Sequence, residues 1–578
     1  MCIRDSDNDV LGIMKRYGHR VHFLHLRNVK RENSSIPSSF YEAEHLNGDI
    51  DMIGLIKEIL FQEKCRRDEG VKDWSIPFRP DHGHEILDDL DRSKQPGYPS
   101  IGRLKGLAEL RGVAKALDYG IVHIGIGAFH KAHQAAITDE VIEKNGGDWK
   151  IIGVSLRSER AKNELVPQNG LYTLLIKDNS NVKAKVIASI SKVLCSAENS
   201  EEVIEVLVSP KTKIVSLTVT EKAYGLKSKG YGCDLNHPSV SLDLDNFDQP
   251  HGVLGILVKA LSIRMKKDIL PFTVLCCDNL PNNGKLVGEG VIDFAKNIDP
   301  ILSNWIRKNT AFPSTMVDRI TPAPTQITLS EAKKIIGFVD LGAVETEPFY
   351  QWIIEDNFPL GRPRWEQAGA IFTDNVLPYE KMKLRMLNGA HSMMAYTGFH
   401  SGHKYVHNVM SDEYLKVLIE RHMNAASKTL DNISSIDYNK YANSLIERFN
   451  NKALKHETLQ IAMDGSQKIP QRILFPLEDA LKAKINYRPF TFAIAAWLRH
   501  ISGSTHDCDN YIIKDPLAEK LSKLKFTSNP EQLSNELFNL GLLKPTLFKE
   551  HLVWKDIFSI LQEMLSRPMK DVICSEIK

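Results

Sequence analysis

The run from Tyr119 to Ala135, YGIVHIGIGAFHKAHQA, narrows the fold more than any other part of the sequence. Ile121 to Ile124 reads as a buried strand, and Gly125-Ile126-Gly127 follows at once, ahead of a helix-compatible segment. Glycines at such a turn let a backbone approach a pyrophosphate at a helix N-terminus. The third glycine of the dinucleotide fingerprint is missing, with His130 in its place, and a lone GxG after a strand has many chance matches. The segments downstream add support. WKIIGVSL reads as the next strand and leads into Arg157-Ser158-Glu159-Arg160. Glu159 is a candidate for ribose hydroxyls, although it lies about 30 residues past the turn rather than about 20. The competing reading is a solvated loop charge. KIVSLTVTEKAYG and FTVLCCDNLPNNG then read as two further parallel strands with polar ends. Ligands of open α/β sheets sit beyond such carboxyl ends, so Thr220, Glu221, Lys222, Asp278 and Asn279 are placed to meet one.

From about Phe349 the strand signals thin and helical patterns dominate to Lys578. The strongest helix former there is KMKLRMLNGAHSMMAY, Lys381 to Tyr396, with no Pro and a single Gly. On an α-helix at about 100° per residue, with Lys383 at zero, Glu380 falls at roughly 60°, His391 at roughly 80° and Asn388 at roughly 140°. Leu384 and Leu387 share that arc, so the face is partly buried and its polar groups need partners or a substrate. The plainer alternative is a helix at the edge of a core whose polar groups are satisfied.

Length and charge remove several classes. A chain of 578 residues holds two to four domains. A formal net charge of +2 argues against a nucleic-acid binder. The longest apolar runs, ILPFTVLCC and FTFAIAAWL, are too short to span a bilayer, so no membrane partner is expected. MCIRDSDNDV has no apolar core of a signal peptide, and the eight cysteines form no CxxC pair, which predicts a cytoplasmic protein with reduced thiols.

The front block, from about residue 7 to 118, alternates strand and helix, with polar groups at the strand ends His25 and Asp81-His82-Gly83-His84. That is the grammar of an α/β barrel. HFLHLRNVKRE, HLNGDIDM, IPFRPDHGHEILDDL and GYPSIGRLKGLAELRG, in this order, resemble the C-terminal part of the mannonate dehydratases, which are metal-dependent (β/α)8 barrels. The resemblance implies His25 and Asp81 as ligands of a divalent metal, Mn or Fe, with His82 and Tyr98 acting on the substrate. A barrel of that kind needs about 250 residues, so the block is a partial one, and dehydratase activity is not expected from it alone.

The rest of the chain carries a second resemblance. GIVHIGIGAFHKAHQA, SLTVTEKAYG, CDNLPNNG, MVDRITPA, EPFYQWIIEDNF, KLRMLNGAHS and QIAMDGSQKIPQR resemble, in order, the polyol-specific long-chain dehydrogenases, nearest to their fructuronate reductase (D-mannonate oxidoreductase) branch. Carried over by motif, this implies Lys383 as general acid/base, Asn279 and Asn388 holding the reacting oxygen, His391 positioning the substrate, Glu380 on the proton path and Asp318 facing the substrate. It implies NAD as cofactor, with Gly125, Gly127, Phe129, Glu159 and Glu221 at its site. Lys131 stands where many members have Arg, keeping the charge without the planar fork. The expected organisation is a partial barrel over 1–118, a Rossmann-type domain over 119–374 and a helical catalytic domain over 375–578. The expected reaction interconverts D-fructuronate and D-mannonate, small hexuronate and aldonate substrates. The alternatives are a mannitol 2-dehydrogenase-type polyol dehydrogenase, or a mannonate dehydratase whose missing part comes from another chain.

Overall fold

The computed structural model describes residues 9–31, 40–43, 48–80, 110 and 119–578, apart from 180, 228–229, 434–435, 508–509, 525 and 527–528. In the front block, β1 (Leu24–Leu26) pairs in parallel with β4 (Phe78–Pro80), and the helix Met52–Asp68 lies between them in the chain. β2 (Asn28–Arg31) and β3 (Phe40–Ala43) form an antiparallel pair. Leu24, Leu26, Leu55, Ile56 and Ile59 share a small core with Val10 and Met14. The described residues of the front block therefore make one βαβ unit with a side pair of strands.

Beyond Tyr119 the chain builds a doubly wound sheet. Its strands are β5 (Ile121–Ile124) and β6 (Ile151–Ser155), then, after the hairpin β7 (Tyr172–Lys177) and β8 (Val182–Ile187), β9 (Ile190–Cys195), β10 (Ile214–Leu217) and β11 (Thr273–Cys276). The order across the sheet is β11-β10-β5-β6-β9, all parallel. The chain starts in the middle, runs outward to β9, then crosses back to β10. The order therefore reverses between β5 and β10, and a crevice opens beyond their carboxyl ends, as in Rossmann-type folds. Strand residues alternate between two cores, which is why these strands read as unbroken apolar runs. Val122 and Ile124 pack toward the helices Ser200–Val208, Val253–Lys266 and Asn283–Ile298. Ile121, Ile151 and Leu275 pack toward the helix Gln134–Asn145 and the buried Trp352 and Trp365.

Three more strands lie beside this unit: β12 (Thr315–Asp318), β14 (Gln351–Glu355) and β15 (Ile371–Thr373) form a mixed sheet, and β13 (Val344–Thr346) joins the β7–β8 hairpin. β14 and β15 fall past Phe349, so strand structure persists further than the thinning apolar pattern suggests. From Leu377 onward the chain is helical. The helix Arg488–Ile501 is buried from Pro489 to its end, packing on Gly389–His400 and His551–Ser566. FTFAIAAWL is thus the centre of a helical core. No helix among the described residues is long and apolar enough to cross a membrane.

Candidate active site

The glycine turn sits at the crevice. Gly125 has φ +104°, and a Cβ there would fall 2.1 Å from the Thr218 carbonyl oxygen. Only glycine lets β5 and β10 meet so closely. A Cβ on Gly127 would meet open space, so the backbone at Gly127 is approachable from the crevice. His130, at the third glycine's place, stacks on His123 with ring centroids 3.4 Å apart. His123 is itself bound through Nδ1 to Ser216 Oγ at 2.8 Å and through Nε2 to Thr218 Oγ1 at 2.9 Å. Burial holds His123 neutral, at a pKa of about 3. The missing glycine is thus replaced by a stacked, neutral histidine pair, and the helix Ala128–Ala132 is short, giving way to Gln134–Asn145. Phe129 is half-buried and stacks on His133 at 4.9 Å. Glu159 is exposed just past β6. Lys131 is buried and donates to the Gly342 carbonyl at 2.9 Å, so its charge is engaged inside the fold.

The polar ends of β10 and β11 lock together. Asp278 accepts from the Val219 N–H and the Tyr224 hydroxyl, both at 2.8 Å. Thr220 is held at φ +72°, a costly conformation for a β-branched residue. It turns the chain into Glu221, which opens toward the crevice; surrounding protein, then Asp278, pushes the Glu221 carboxyl up. After β11, the Asn283 amide donates to the carbonyls of Cys276, Asp278 and Thr315 and fixes the loop that carries Asn279.

Lys383 meets that loop from the helical side. Its Nζ donates to Asn279 Oδ1 at 2.5 Å and to the Val317 carbonyl at 2.6 Å. Lys383 is 7% exposed, and burial lowers its pKa to about 8, against the pull of Asp318. Glu380, raised by burial, accepts from the Asn282 N–H at 3.0 Å. Asp278, Asn279, Thr315, Val317, Glu380 and Lys383 line one cleft. With its oxygen on the lysine, Asn279 keeps its NH2 group as a donor for an incoming oxygen.

The segment carrying Lys383 departs from a plain α-helix. Leu377–Met382 is α-helical, Lys383–Asn388 is a π-helical turn, and Gly389–His400 is α-helical again. On an α-helix, Lys383 and Asn388 would stand about 140° apart. The i→i+5 bonding of a π turn stacks residues five apart, so the amine and the amide come to one face. His391 follows Asn388 by three residues of α-helix and lies on the same side. His391 is buried beside Phe449 and His456 and held neutral by burial and the neighbouring charges. Its Nε2 is buried with no hydrogen-bond partner, which suits an imidazole awaiting a ligand.

Asp318 is placed differently from a carboxylate open to substrate. Both its oxygens accept from Arg448, at 2.8 and 2.9 Å, and Arg448 also binds both oxygens of Glu347. Burial pushes Asp318 up, but the Arg448 charge outweighs it and holds the carboxyl low. Of the front-block residues, His25 lies half-buried on β1, opposite Arg79. Asp81, His82 and Tyr98 lie outside the described residues. Among the described residues no three metal-ligating side chains gather. Two cations of the motif QIAMDGSQKIPQR carry no role in the sequence reading: Arg472, whose charge reaches Lys383, and Lys468, whose neighbour is Arg472.

The arrangement combines a dinucleotide-binding fold with a desolvated amine and the Asn279 amide in one cleft. Comparison with known proteins agrees. Residues 119–367 match the mannitol dehydrogenase Rossmann domain and 375–555 the mannitol dehydrogenase C-terminal domain, while 2–122 match the D-mannonate dehydratase (UxuA) family. An uncharacterized oxidoreductase of Escherichia coli K12, YeiQ, is 41% identical over 73% of this chain and 87% of its own. The D-mannonate oxidoreductase of the same organism is 40% identical over 71% and 85%. The solved ternary complex of Pseudomonas fluorescens mannitol 2-dehydrogenase with NAD and D-mannitol superposes with a TM-score of 0.72 at 32% identity, covering 79% of this chain and 94% of that one. From Tyr119 onward, the chain belongs to the mannitol dehydrogenase family of oxidoreductases.

Proposed function

We propose that the chain interconverts D-fructuronate and D-mannonate with NAD, and that Lys383 is the general acid/base. The observation that carries this is the Lys383 amine, desolvated to a pKa of about 8 and aimed into the cleft beside Asn279. The uronate reading is favoured by the identity to a D-mannonate oxidoreductase. A front block matching the D-mannonate dehydratases points to the same metabolite. The reading divides the chain at 1–118, 119–374 and 375–578 and places it in the cytoplasm. A divalent metal at His25 and Asp81 takes no part in it, and neither does a lyase reaction of the front block.

The crevice suits a dinucleotide: Gly125 and Gly127 offer bare backbone, Glu159 lies past β6 for a ribose, and Phe129 and Glu221 flank the mouth. NAD, when bound, supplies the hydride chemistry. The chain's own groups handle the oxygen. Lys383, as ammonium, gives its proton to the oxygen of the reduced keto group; as free amine it takes that proton back in the reverse direction. Asn279 and Asn388 donate to the same oxygen as charge develops there, neutral donors already oriented before reaction. His391 offers Nε2 to a substrate hydroxyl, and Glu380 links the amine to solvent. Purified chain should oxidise NADH with D-fructuronate faster than with D-fructose. Turnover of fructose as fast or faster would move the assignment to a mannitol 2-dehydrogenase type.

The amine also sets the pH dependence. Ketone reduction needs the ammonium, so its rate should be level below pH about 8 and fall about tenfold per unit above it. Alcohol oxidation needs the free amine and should rise up to the same pH. Opposite profiles that cross far from pH 8, or parallel ones, would remove Lys383 as the titrating group.

A further inference from the structure

Arg472 lies near Lys383 and Lys468 lies near Arg472, and among the described residues neither cation has a carboxylate at ion-pairing distance. Arg472 lies in a second π-helical turn, Pro470–Leu474, which packs against the turn Lys383–Asn388. Its Nη1 donates to the Asn388 carbonyl at 3.4 Å and to Ser392 Oγ at 3.3 Å. Both are long for N–H···O bonds and draw on one nitrogen, leaving most of the guanidinium fork unspent. Lys468, one turn earlier, donates only to the carbonyls of Met463, at 2.6 Å, and Ile461, at 3.3 Å. Each side chain keeps part of its surface open. Burial lowers Lys468 to about 8, and the Arg472 charge pushes the same way; burial lowers Arg472 to about 10. The charges of Glu221 and Asp464 reach Lys468 without pairing with it. Desolvated like charges held side by side are costly unless an anion joins them.

The geometry points to Arg472, backed by Lys468, as the seat of the substrate's carboxylate, making the chain selective for keto sugar acids over neutral ketoses. This rests on the reduction proposed above and adds the group that sets its substrate class. The spacing fits. In a hexuronate the keto carbon and carboxylate are four carbon–carbon bonds apart, roughly 5 Å at about 1.5 Å per bond allowing for bond angles. Asn388, whose carbonyl lies 3.4 Å from Arg472 Nη1, is one turn beyond Lys383 in the π-helical segment, a pitch of roughly 5 Å. A substrate with its oxygen at Lys383 and its chain along this face therefore brings its carboxylate to the guanidinium, which can grip it with two parallel bonds. His391, reached by the charges of both Arg472 and Lys383, keeps Nε2 without a partner among the described residues and so open to a substrate hydroxyl.

The test is steady-state kinetics of the full chain with D-fructuronate and D-fructose, for wild type, Arg472→Gln and Arg472→Lys. Arg472→Gln should raise the KM for D-fructuronate about 10²-fold, the size of effect from removing one partner of a desolvated charge pair. The kcat/KM for D-fructose and the KM for NADH should stay within about threefold of wild type, and Arg472→Lys should recover part of the loss. Equal losses on both ketones, or a raised KM for NADH, would overturn the assignment and leave Arg472 as a tie between two helical turns or a cofactor contact. A second measurement uses wild type alone. D-gluconate should compete with D-fructuronate far more strongly than sorbitol does, and equal inhibition by the two would also overturn it. Failure of the underlying reading looks different: wild type would then fail to reduce D-fructuronate at all.

Discussion

Replacing Lys383 by Ala should lower kcat by roughly 10² or more, the range lost with a positioned general acid/base. The amine is the one group in the cleft that is both desolvated to a pKa near neutrality and held by two oxygen acceptors, Asn279 Oδ1 and the Val317 carbonyl. Ala leaves those acceptors in place but puts no proton there. NADH binding, followed by its fluorescence, should persist, because Gly125 and Gly127 lie in the turn after β5 and not on the Lys383 helix. Added small primary amines should restore part of the rate, since the vacated space leads straight to the two acceptors. Near-normal turnover in the variant, or loss of NADH binding in step with kcat, would take the proton transfer away from Lys383.

Arg448→Met should cost about 3–5 kcal/mol of stability, the penalty for breaking a buried pair from one side. Asp318 and Glu347 are 3% and 1% exposed, and Arg448 is the cation that bonds to both. With Arg448 gone, both carboxyls would be pushed up by burial, a push that already prevails at Glu347. A buried acid whose folded pKa lies above its unfolded value destabilises at neutral pH and ceases to do so once protonated. The gap between variant and wild type, read from urea midpoints, should therefore be largest at pH 7 and shrink on acidification. Adding Asp318→Asn and Glu347→Gln to the variant should recover much of the loss. Activity should fall as well, because Asp318 adjoins Val317, whose carbonyl holds the Lys383 amine. A variant as stable as wild type at pH 7 would mean that water reaches these carboxylates.

The core strands were legible because a strand buried on both faces has one chemical signature, an unbroken apolar run. Ile121–Ile124 has the same bounds in the sequence reading and in the structure. The polar ends of β10 and β11 were equally readable, since residues past a parallel strand have only the crevice to face. The hairpin β7–β8 and the late strands β14 and β15 were passed over: Val182–Ile187 is largely exposed, and β14 and β15 belong to a small side sheet. Their pattern is set by neighbours far away in the chain.

At the site the division is sharper. Lys383, Asn388, His391, Asn279 and Glu380 came from the resemblance of their motifs to the polyol dehydrogenases, and an amine of lowered pKa with amide donors suits the proposed ketone reduction. On an α-helical wheel they already share one arc, with Lys383 and Asn388 about 140° apart, and the π turn draws that pair closer together. That turn packs against the second π turn some 80 residues on, where Arg472 reaches Asn388 and Ser392. Likewise, the sequence offered Asp318 as a carboxylate near substrate, and the tertiary structure occupied both its oxygens with an arginine 130 residues away. The sequence by itself marked four strands of the parallel sheet, β5, β6, β10 and β11, because an unbroken apolar run is a local signal, and its motifs carried the family resemblance. Only the tertiary structure decided which polar groups are satisfied, which are left open for a ligand and how far burial moves the Lys383 pKa, because each depends on groups the chain brings together from a distance.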